Sequence, residues 1–458
     1  MAIMNLQQLE DYYEEHQQEI VDGYLRFLKF ASISSEEPHK EELLACADWI
    51  CDLLRDNGFT VELWPTHGHP TIFAERNDAG PNAPTVLIYN HYDVQPVDPL
   101  ELWDSPPFEP RIDNGTVYAR GAQDNKGQCW YVLQALKALI AMDGKLPVNV
   151  KLCIEGEEEI GSSGLREILS SKADRLNADY LVIADVGIAG PDTPSLTLGC
   201  RGIITMDVTF KGSKVDLHSG THGGLAYNPL HALVEVLSQL RDKEGRITVP
   251  GFYDEVRGLT DDQRERISFD FDTENYFSSF EAKPVGGESM YTPLERATIR
   301  PTIEINGISG GYSGSGFKTV IPAVASAKIS CRLVADQDPK VIGQRVADRT
   351  EELAPHGIDV TVNLHSGGGA AVQADPNSKI VEAYSAAYST VFGKPCKYFF
   401  EGGSIPIVTD LARACDAEIV LMGLGLSDDH IHAPNEHFGL DRLKKGFLVT
   451  AMALLEVS

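Results

Sequence analysis

An α/β main domain interrupted by a second, α+β domain is what the hydrophobic pattern of this chain predicts, on three observations. Short, continuously apolar runs alternate with helical periodicity up to Gly202, the pattern of strands buried on both faces of a mixed, mostly parallel central sheet flanked by helices. Past Gly202 the texture changes to half-apolar alternation, which suits strands with one face covered. From about Asn377 the first texture resumes, so the second domain is read as an insertion into the first.

Taken in order, Leu6–Phe30 has apolar residues at helical spacing and is closed by the Ser-Ser-Glu-Glu-Pro run at Ser34–Pro38. A second helix is predicted over Lys40–Asn57, followed by strands at Thr60–Trp64 and Thr71–Glu75. Thr85–Asn90, TVLIYN, reads as a strand buried on both faces, bounded by Pro84 and the polar His91-Tyr92-Asp93. A helix over Asn125–Asp143, a buried strand at Val148–Ile154, a helix over Gly164–Ser171 and a third buried strand at Ala178–Ala184 complete the first part. The inserted region reads as strand Ile203–Lys211, helix Asn228–Arg241, strands Ala297–Ile308 and Ala325–Leu333, helix Pro339–Leu353 and strand Ile358–Leu364. That order is a split βαβ sandwich, an antiparallel sheet with two helices. A strand at Leu421–Leu426 then runs into a polar, histidine-rich loop, while Thr260–Tyr291 carries no legible pattern.

At 458 residues the chain exceeds one ordinary core, so two or three domains are expected, two being the economical number. Its 39 Lys+Arg against 67 Asp+Glu give a formal charge of -28, which would repel phosphate backbones and anionic lipid and argues against nucleic acid or a membrane surface as partner. The N-terminal stretch lacks the basic start and apolar run of an export signal. Apolar runs such as Val86–Tyr89 and Tyr180–Ala184 fall far short of the ~20 residues needed to span a bilayer. A soluble, cytoplasmic protein is expected. Its eight cysteines, Cys46, Cys51, Cys129, Cys153, Cys200, Cys331, Cys396 and Cys415, form no CxxC pair and read as reduced, buried thiols.

The chemistry gathers at strand ends. His91 and Asp93 follow the strand ending at Asn90, Glu158 and Glu159 follow the strand ending at Ile154, Asp185 ends the strand Leu181–Ala184, and His432 lies past Leu421–Leu426. Ligand crevices of open α/β sheets lie outside the carboxyl ends of strands, so these residues are expected to converge. Asp124 adds a carboxylate in the glycine-bracketed turn Arg120–Gly127, at the mouth of a helix. Singly, each has an ordinary explanation: a solvated loop histidine, an acidic turn at Glu155–Glu159, a helix cap at Asp185. Together, two imidazoles and three carboxylates make a nitrogen/oxygen set suited to Zn2+ or Mn2+. Two ions sharing one carboxylate, about 3.5–4 Å apart, are the natural occupancy. Asp93 is placed to accept the second N–H of His91 and fix its tautomer. The adjacent Glu158 and Glu159 point differently, so that one can ligate while the other takes a proton from a water.

Seven motifs carry a resemblance over almost the whole chain: HYDVQP at His91–Pro96, WDSPPFEP at Trp103–Pro110, YARGAQDNKG at Tyr118–Gly127, EGEEEIGS at Glu155–Ser162, DLHSGTHGG at Asp216–Gly224, EGGSIP at Glu401–Pro406 and HAPNE at His432–Glu436. In this order they resemble the dinuclear metallopeptidases that include carnosinase, cytosolic dipeptidases, glutamate carboxypeptidase, aminoacylase and succinyl-diaminopimelate desuccinylase, with the carnosinase-like dipeptidases nearest. The resemblance implies that His91, Asp124 and Asp185 hold one metal and that Asp124, Glu159 and His432 hold the other, with Asp124 as the bridge. It sets the register through Glu157-Glu158-Glu159: Glu158 is the general base acting on the water shared by the metals, and Glu159 is the ligand. It implies a cis peptide at Asp124-Asn125. It assigns His218 to oxyanion stabilisation in a partner's site across a homodimer, Arg332 to the substrate's C-terminal carboxylate, and His365 with Gly402-Gly403-Ser404 to further substrate contacts. No role transfers to His222, where the family pattern has an apolar residue.

The expectation is therefore a catalytic domain at 1–204 and 378–458, a lid and dimerisation domain at 205–377, and hydrolysis of the peptide bond of dipeptides with two divalent metal ions, Zn2+ or Mn2+. N-acyl amino acid deacylation or carboxypeptidase action is the same-chemistry alternative. A binding module that has lost its metals is the alternative of another class, and the intact Asp124, Glu158 and Glu159 weigh against it.

Overall fold

The computed structural model describes residues 4–260, 264, 267, 271–365, 368–403 and 405–458. The chain divides into two compact units, one of Met1–Gly199, Ala374–Phe399 and Ile407–Ser458, the other of Cys200–Gln373 and Phe400–Pro406.

The first unit is built on a mixed sheet whose strands lie in the order Thr60–Trp64, Thr71–Arg76, Asn149–Glu155, Thr85–His91, Tyr180–Ala184, Glu418–Met422 and Ser195–Cys200. Neighbours in its centre run parallel, from Asn149–Glu155 through Thr85–His91 and Tyr180–Ala184 to Glu418–Met422, and the flanks are antiparallel. Parallel strands are joined by helical crossovers that cover both faces. Thr85–His91 accordingly is buried from Val86 to His91. The helices Leu6–Leu28, Lys126–Asp143, Lys379–Phe392 and Leu440–Val457 pack on one another. Gly446 lets two of them approach, since a Cβ there would overlap the Tyr131 ring.

The second unit carries an antiparallel sheet in the order Thr302–Gly310, Val324–Leu333, Gly202–Lys211, Asp359–Leu364. Gly202–Lys211 alternates between buried and half-buried residues, and its inward Ile204, Met206, Val208 and Phe210 join a core with Leu233 and Val236 of helix Pro229–Ser238 and Ile342 and Val346 of helix Pro339–Glu352. Shorter helices cover Ser219–His222, Thr273–Phe280 and Pro293–Thr298.

Two predicted strands are displaced. The strand predicted from Ala297 begins only at Thr302. Pro293–Thr298 is a helix instead, because Thr292 and Glu295 form a reciprocal capping box and Pro293 starts the turn. The strand predicted at Leu421–Leu426 is Glu418–Met422. Beyond Met422 side chains take over the backbone: Gly423 exchanges hydrogen bonds with the Tyr388 hydroxyl at 2.7 and 3.1 Å, and the Leu424 N–H donates to Gln128 at 3.1 Å. The strands Ser195–Cys200 and Lys397–Glu401, and a small sheet of Arg111–Asp113, Thr116–Tyr118 and His437–Gly439, have no counterpart in the sequence reading. Among the described residues all eight cysteines are free and all but Cys396 are buried, and no helix is long and apolar enough to cross a membrane.

Candidate metal centre

Four strand ends in the first unit deliver the predicted ligands to one place. His91 closes Thr85–His91, Asp185 follows Tyr180–Ala184, Glu158 and Glu159 open a single 3-10 turn beyond Asn149–Glu155, and His432 sits in the loop after Glu418–Met422. Asp124 precedes the helix Lys126–Asp143, and the Asp124-Asn125 peptide is cis.

Two triplets result, His91–Asp124–Asp185 and Asp124–Glu159–His432, each with one donor atom per residue within 4.8 Å of the others. His91 Nε2 lies 3.1 Å from Asp124 Oδ1 and 3.7 Å from Asp185 Oδ1. His432 Nε2 lies 3.0 Å from Asp124 Oδ2 and 3.3 Å from Glu159 Oε2. Asp124 thus presents one oxygen to each triplet. Glu158 belongs to neither and lies half-buried, within electrostatic reach of His91, Asp185, Glu159 and Asp124.

The surrounding hydrogen bonds orient these groups. His91 Nδ1 faces the Asp93 carbonyl at 3.1 Å and its carboxylate at 3.4 Å, so in the neutral ring the proton is held on Nδ1 and the Nε2 lone pair is free to ligate a metal. The Asp93 carboxylate has a second task that the sequence reading missed: it accepts the backbone N–H of Glu158 at 3.2 Å and of Glu159 at 3.1 Å. It fixes the turn that separates the two glutamates' directions. Asn125 Nδ2 donates to Asp185 Oδ1 at 2.6 Å, and Asn90 Nδ2 donates to Asn125 Oδ1 at 2.7 Å. Gln95 Nε2 donates to Glu159 Oε2 at 2.8 Å. Glu157 is buried elsewhere, beside Thr66 at 3.4 Å.

The charges are out of balance. Burial, together with Asp185, Glu159 and Asp124 and against the pull of His91, holds Glu158 well above the ordinary carboxylate range. Burial and Asp124 push Glu159 up to about 7, and burial also raises Asp185. Asp124 is the exception, since the His432 and His91 hydrogen bonds outweigh its burial and lower it. His432 is raised to about 10 by its hydrogen bonds to Asp124 and Glu159. His91 is raised well above its usual value although burial opposes this, because Asp185, Asp124 and Asp93 surround it. A buried group of four carboxylates that drives both imidazoles toward the cationic state is short of positive charge. Divalent cations supply that charge and leave the imidazoles neutral as ligands. The nitrogen/oxygen donor set, with no thiolate, fits Zn2+ or Mn2+.

The other predicted residues belong to the second unit. His218 lies exposed on a two-residue ladder with Val320–Ile321, and its Nδ1 accepts the Gly220 N–H at 3.0 Å, which leaves Nε2–H as a donor. Arg332 is half-buried on Val324–Leu333, opposite Thr302 and Ile203. His365 bonds Thr205 and Asp207, each at 2.9 Å. The Gly403 carbonyl accepts the Arg201 N–H at 3.0 Å. Ser404 lies outside the described residues.

Comparison with known proteins adds the following. The pattern of Peptidase family M20/M25/M40 matches residues 87–456. The Cys-Gly metallodipeptidase dug1 of Schizosaccharomyces pombe is 30% identical, over 97% of this chain and 96% of its own. The crystal structure of the M20 family metallo-carboxypeptidase Sso-CP2 from Sulfolobus solfataricus superposes with a TM-score of 0.84 at 32% identity, covering 96% of this chain and 99% of that one. Human carnosine dipeptidase 1 does so with a TM-score of 0.79 at 30% identity, covering 99% and 98%.

Proposed function

The chain belongs to Peptidase family M20/M25/M40 and is a metal-dependent peptidase, and from that premise we propose that it is a cytoplasmic dipeptidase with two divalent ions, Zn2+ by preference and Mn2+ as the alternative. The observation that carries this reading is the pair of triplets sharing Asp124. His91, Asp124 and Asp185 would hold one ion, and Asp124, Glu159 and His432 the other. When bound, such a pair supplies Lewis-acid polarisation and acidifies water.

This chain's own residues do the rest. Glu158 takes the proton of the attacking water and returns it to the leaving amine, a role suited to a carboxylate that stands beside both triplets and belongs to neither. Asp93 holds Glu158 and Glu159 apart through their N–H groups and keeps His91 in one tautomer. Arg332 anchors the substrate's C-terminal carboxylate, His218 donates Nε2–H to the carbonyl oxygen as it gains charge, and His365, Gly403 and Ser404 make further substrate contacts.

Residues 1–204 with 378–458 then form the catalytic domain and 205–377 the lid and dimerisation domain. The second unit offers an open sheet edge for self-pairing, Thr302–Gly310, with Ile305 and Ile308 exposed. A dipeptidase named for Cys-Gly and one named for carnosine support dipeptides as substrates. A carboxypeptidase among the similar structures supports carboxypeptidase action as the same-chemistry alternative.

The test is elemental analysis of the purified protein, followed by a panel of dipeptides, longer peptides and N-acyl amino acids with added Zn2+ or Mn2+. Two metal equivalents and fastest turnover of dipeptides are expected. Preference for longer peptides or N-acyl amino acids would replace the dipeptidase reading, and absence of both metal and hydrolysis would replace it with a binding module. Mixing the inactive His218→Ala and Glu158→Gln variants tests the dimer. Subunit exchange should restore activity at about half the sites of each mixed dimer, and no recovery would refute donation of His218 across the dimer.

A further inference from the structure

The ion pair Arg120–Glu436 is buried to 1% and 0% side-chain exposure and joins its partners at 2.8 Å. Neither residue is among the donors of the two triplets. The Glu436 carboxylate accepts four hydrogen bonds from one loop. Oε2 takes Arg120 Nη1 and the Gly121 N–H, both at 2.8 Å, and Oε1 takes the Gln123 N–H at 2.9 Å and the Asp124 N–H at 3.0 Å. The last of these is the backbone of the shared ligand itself. Arg120 Nη2 donates to the Pro96 carbonyl at 2.9 Å, in the loop that follows His91. Glu436 belongs to the loop that carries His432.

The loop that follows His91 and the loops that hold Asp124 and His432 therefore meet in one buried pair. Burying two charges costs solvation that their attraction alone seldom returns, and apolar side chains often stabilise a fold as well. An apolar pair, however, has nothing to bind backbone N–H and carbonyl groups from three loops at once. A carboxylate has acceptor sites for four donors, and a guanidinium has donors in two directions.

We propose that Arg120 and Glu436 are positioning residues that set the spacing of the two metal subsites by pinning the backbone of Asp124 to the His432 loop and, through Pro96, to the His91 loop. The inference rests on the two-metal reading above.

The experiment titrates Mn2+ into chelator-stripped full-length protein by calorimetry, with EPR detection of coupled Mn2+ pairs and thermal unfolding of the metal-free protein alongside. Wild type should bind two Mn2+; if it binds none, the two-metal reading fails before the clamp is tested. Glu436→Gln turns an acceptor oxygen into an NH2 group facing backbone N–H donors, and should weaken Mn2+ binding by about 10–100-fold, the range for residues that orient metal ligands, with loss of the coupled signal. Arg120→Lys keeps the charge but cannot reach both Glu436 and Pro96, and should show a smaller loss in the same direction. Two Mn2+ bound with unchanged affinity and coupling in Glu436→Gln, whatever its melting temperature, would overturn the proposal. Should Glu436→Gln fail to fold, unchanged affinity in Arg120→Lys overturns it instead.

Discussion

His91 and His432 stand on either side of Asp124, 3.1 and 3.0 Å from its two oxygens, yet they are built in opposite ways. His91 ends a central parallel strand, is fully buried, and has its second nitrogen held by Asp93. His432 is half-exposed, at 51% of its side chain, on a loop where His430, His432 and Asn435 all take left-handed backbone angles. Such angles are unfavourable for residues other than glycine and persist where surrounding contacts impose them. Here Asp429 supplies one of those contacts through its buried pair with Arg442, at 2.5 and 2.6 Å, and Glu436 supplies another. The same ligand type is thus held on one side by strand burial and on the other by clamps on a loop. The first cannot be altered without damage to the core, whereas the second can.

The largest expected effect belongs to the residue outside both halves. Glu158→Gln should keep both metals and lower turnover by about 10²–10⁴-fold, the usual cost of losing a general base. Glu159→Gln should instead lose metal from the His432 side. Metal analysis of the two variants reads this directly, and the reverse pattern would mean that the roles of the adjacent glutamates are exchanged.

The next effect separates the two histidines. In the metal-free protein, His91→Ala strips a buried partner from Asp124 and Asp185 and should cost about 3–5 kcal/mol in urea unfolding, the range for breaking a buried pair. His432→Ala removes a solvent-screened one and should cost under about 1 kcal/mol. Equal costs would erase the distinction between strand-built and loop-built ligands. A smaller catalytic effect is expected at Arg332→Ala: KM should rise for free dipeptides and stay nearly constant for their C-terminal amides, and equal losses on both would remove the carboxylate anchor.

The smallest effect concerns the buried side alone. Glu155 lies beside His91 in the sheet, and burial pushes it up to about 8, with hydrogen bonds from Tyr89 and Ser162 at 2.6 and 2.9 Å opposing only part of the shift. A carboxyl raised in the folded state favours folding fully below its unfolded value, near 4.3, and that contribution is lost as pH rises through about 8. Glu155→Gln should therefore match wild type at about pH 4 and be the more stable of the two above about pH 8. Urea unfolding at both pH values checks this, and a pH-independent difference would mean that Glu155 is ionised in the fold.

Much of this protein is written locally. The unbroken apolar runs TVLIYN and YLVIA require strands covered on both faces, and that requirement alone places His91 and Asp185 at carboxyl ends of a parallel sheet. Capping chemistry is equally local at Thr292–Glu295, where a reciprocal box starts a helix that runs into the strand predicted from Ala297. What only the tertiary structure decided is the set of bonds that aim the ligands. Asp93 meets the N–H groups of Glu158 and Glu159 across separations of 65 and 66 residues, and Glu436 meets the loop of Asp124 across more than 300. The donors in these bonds are mostly backbone N–H groups, which every residue but proline carries alike, so no side-chain pattern marks them. They become visible only when packing brings the loops together and leaves each buried carboxylate needing partners.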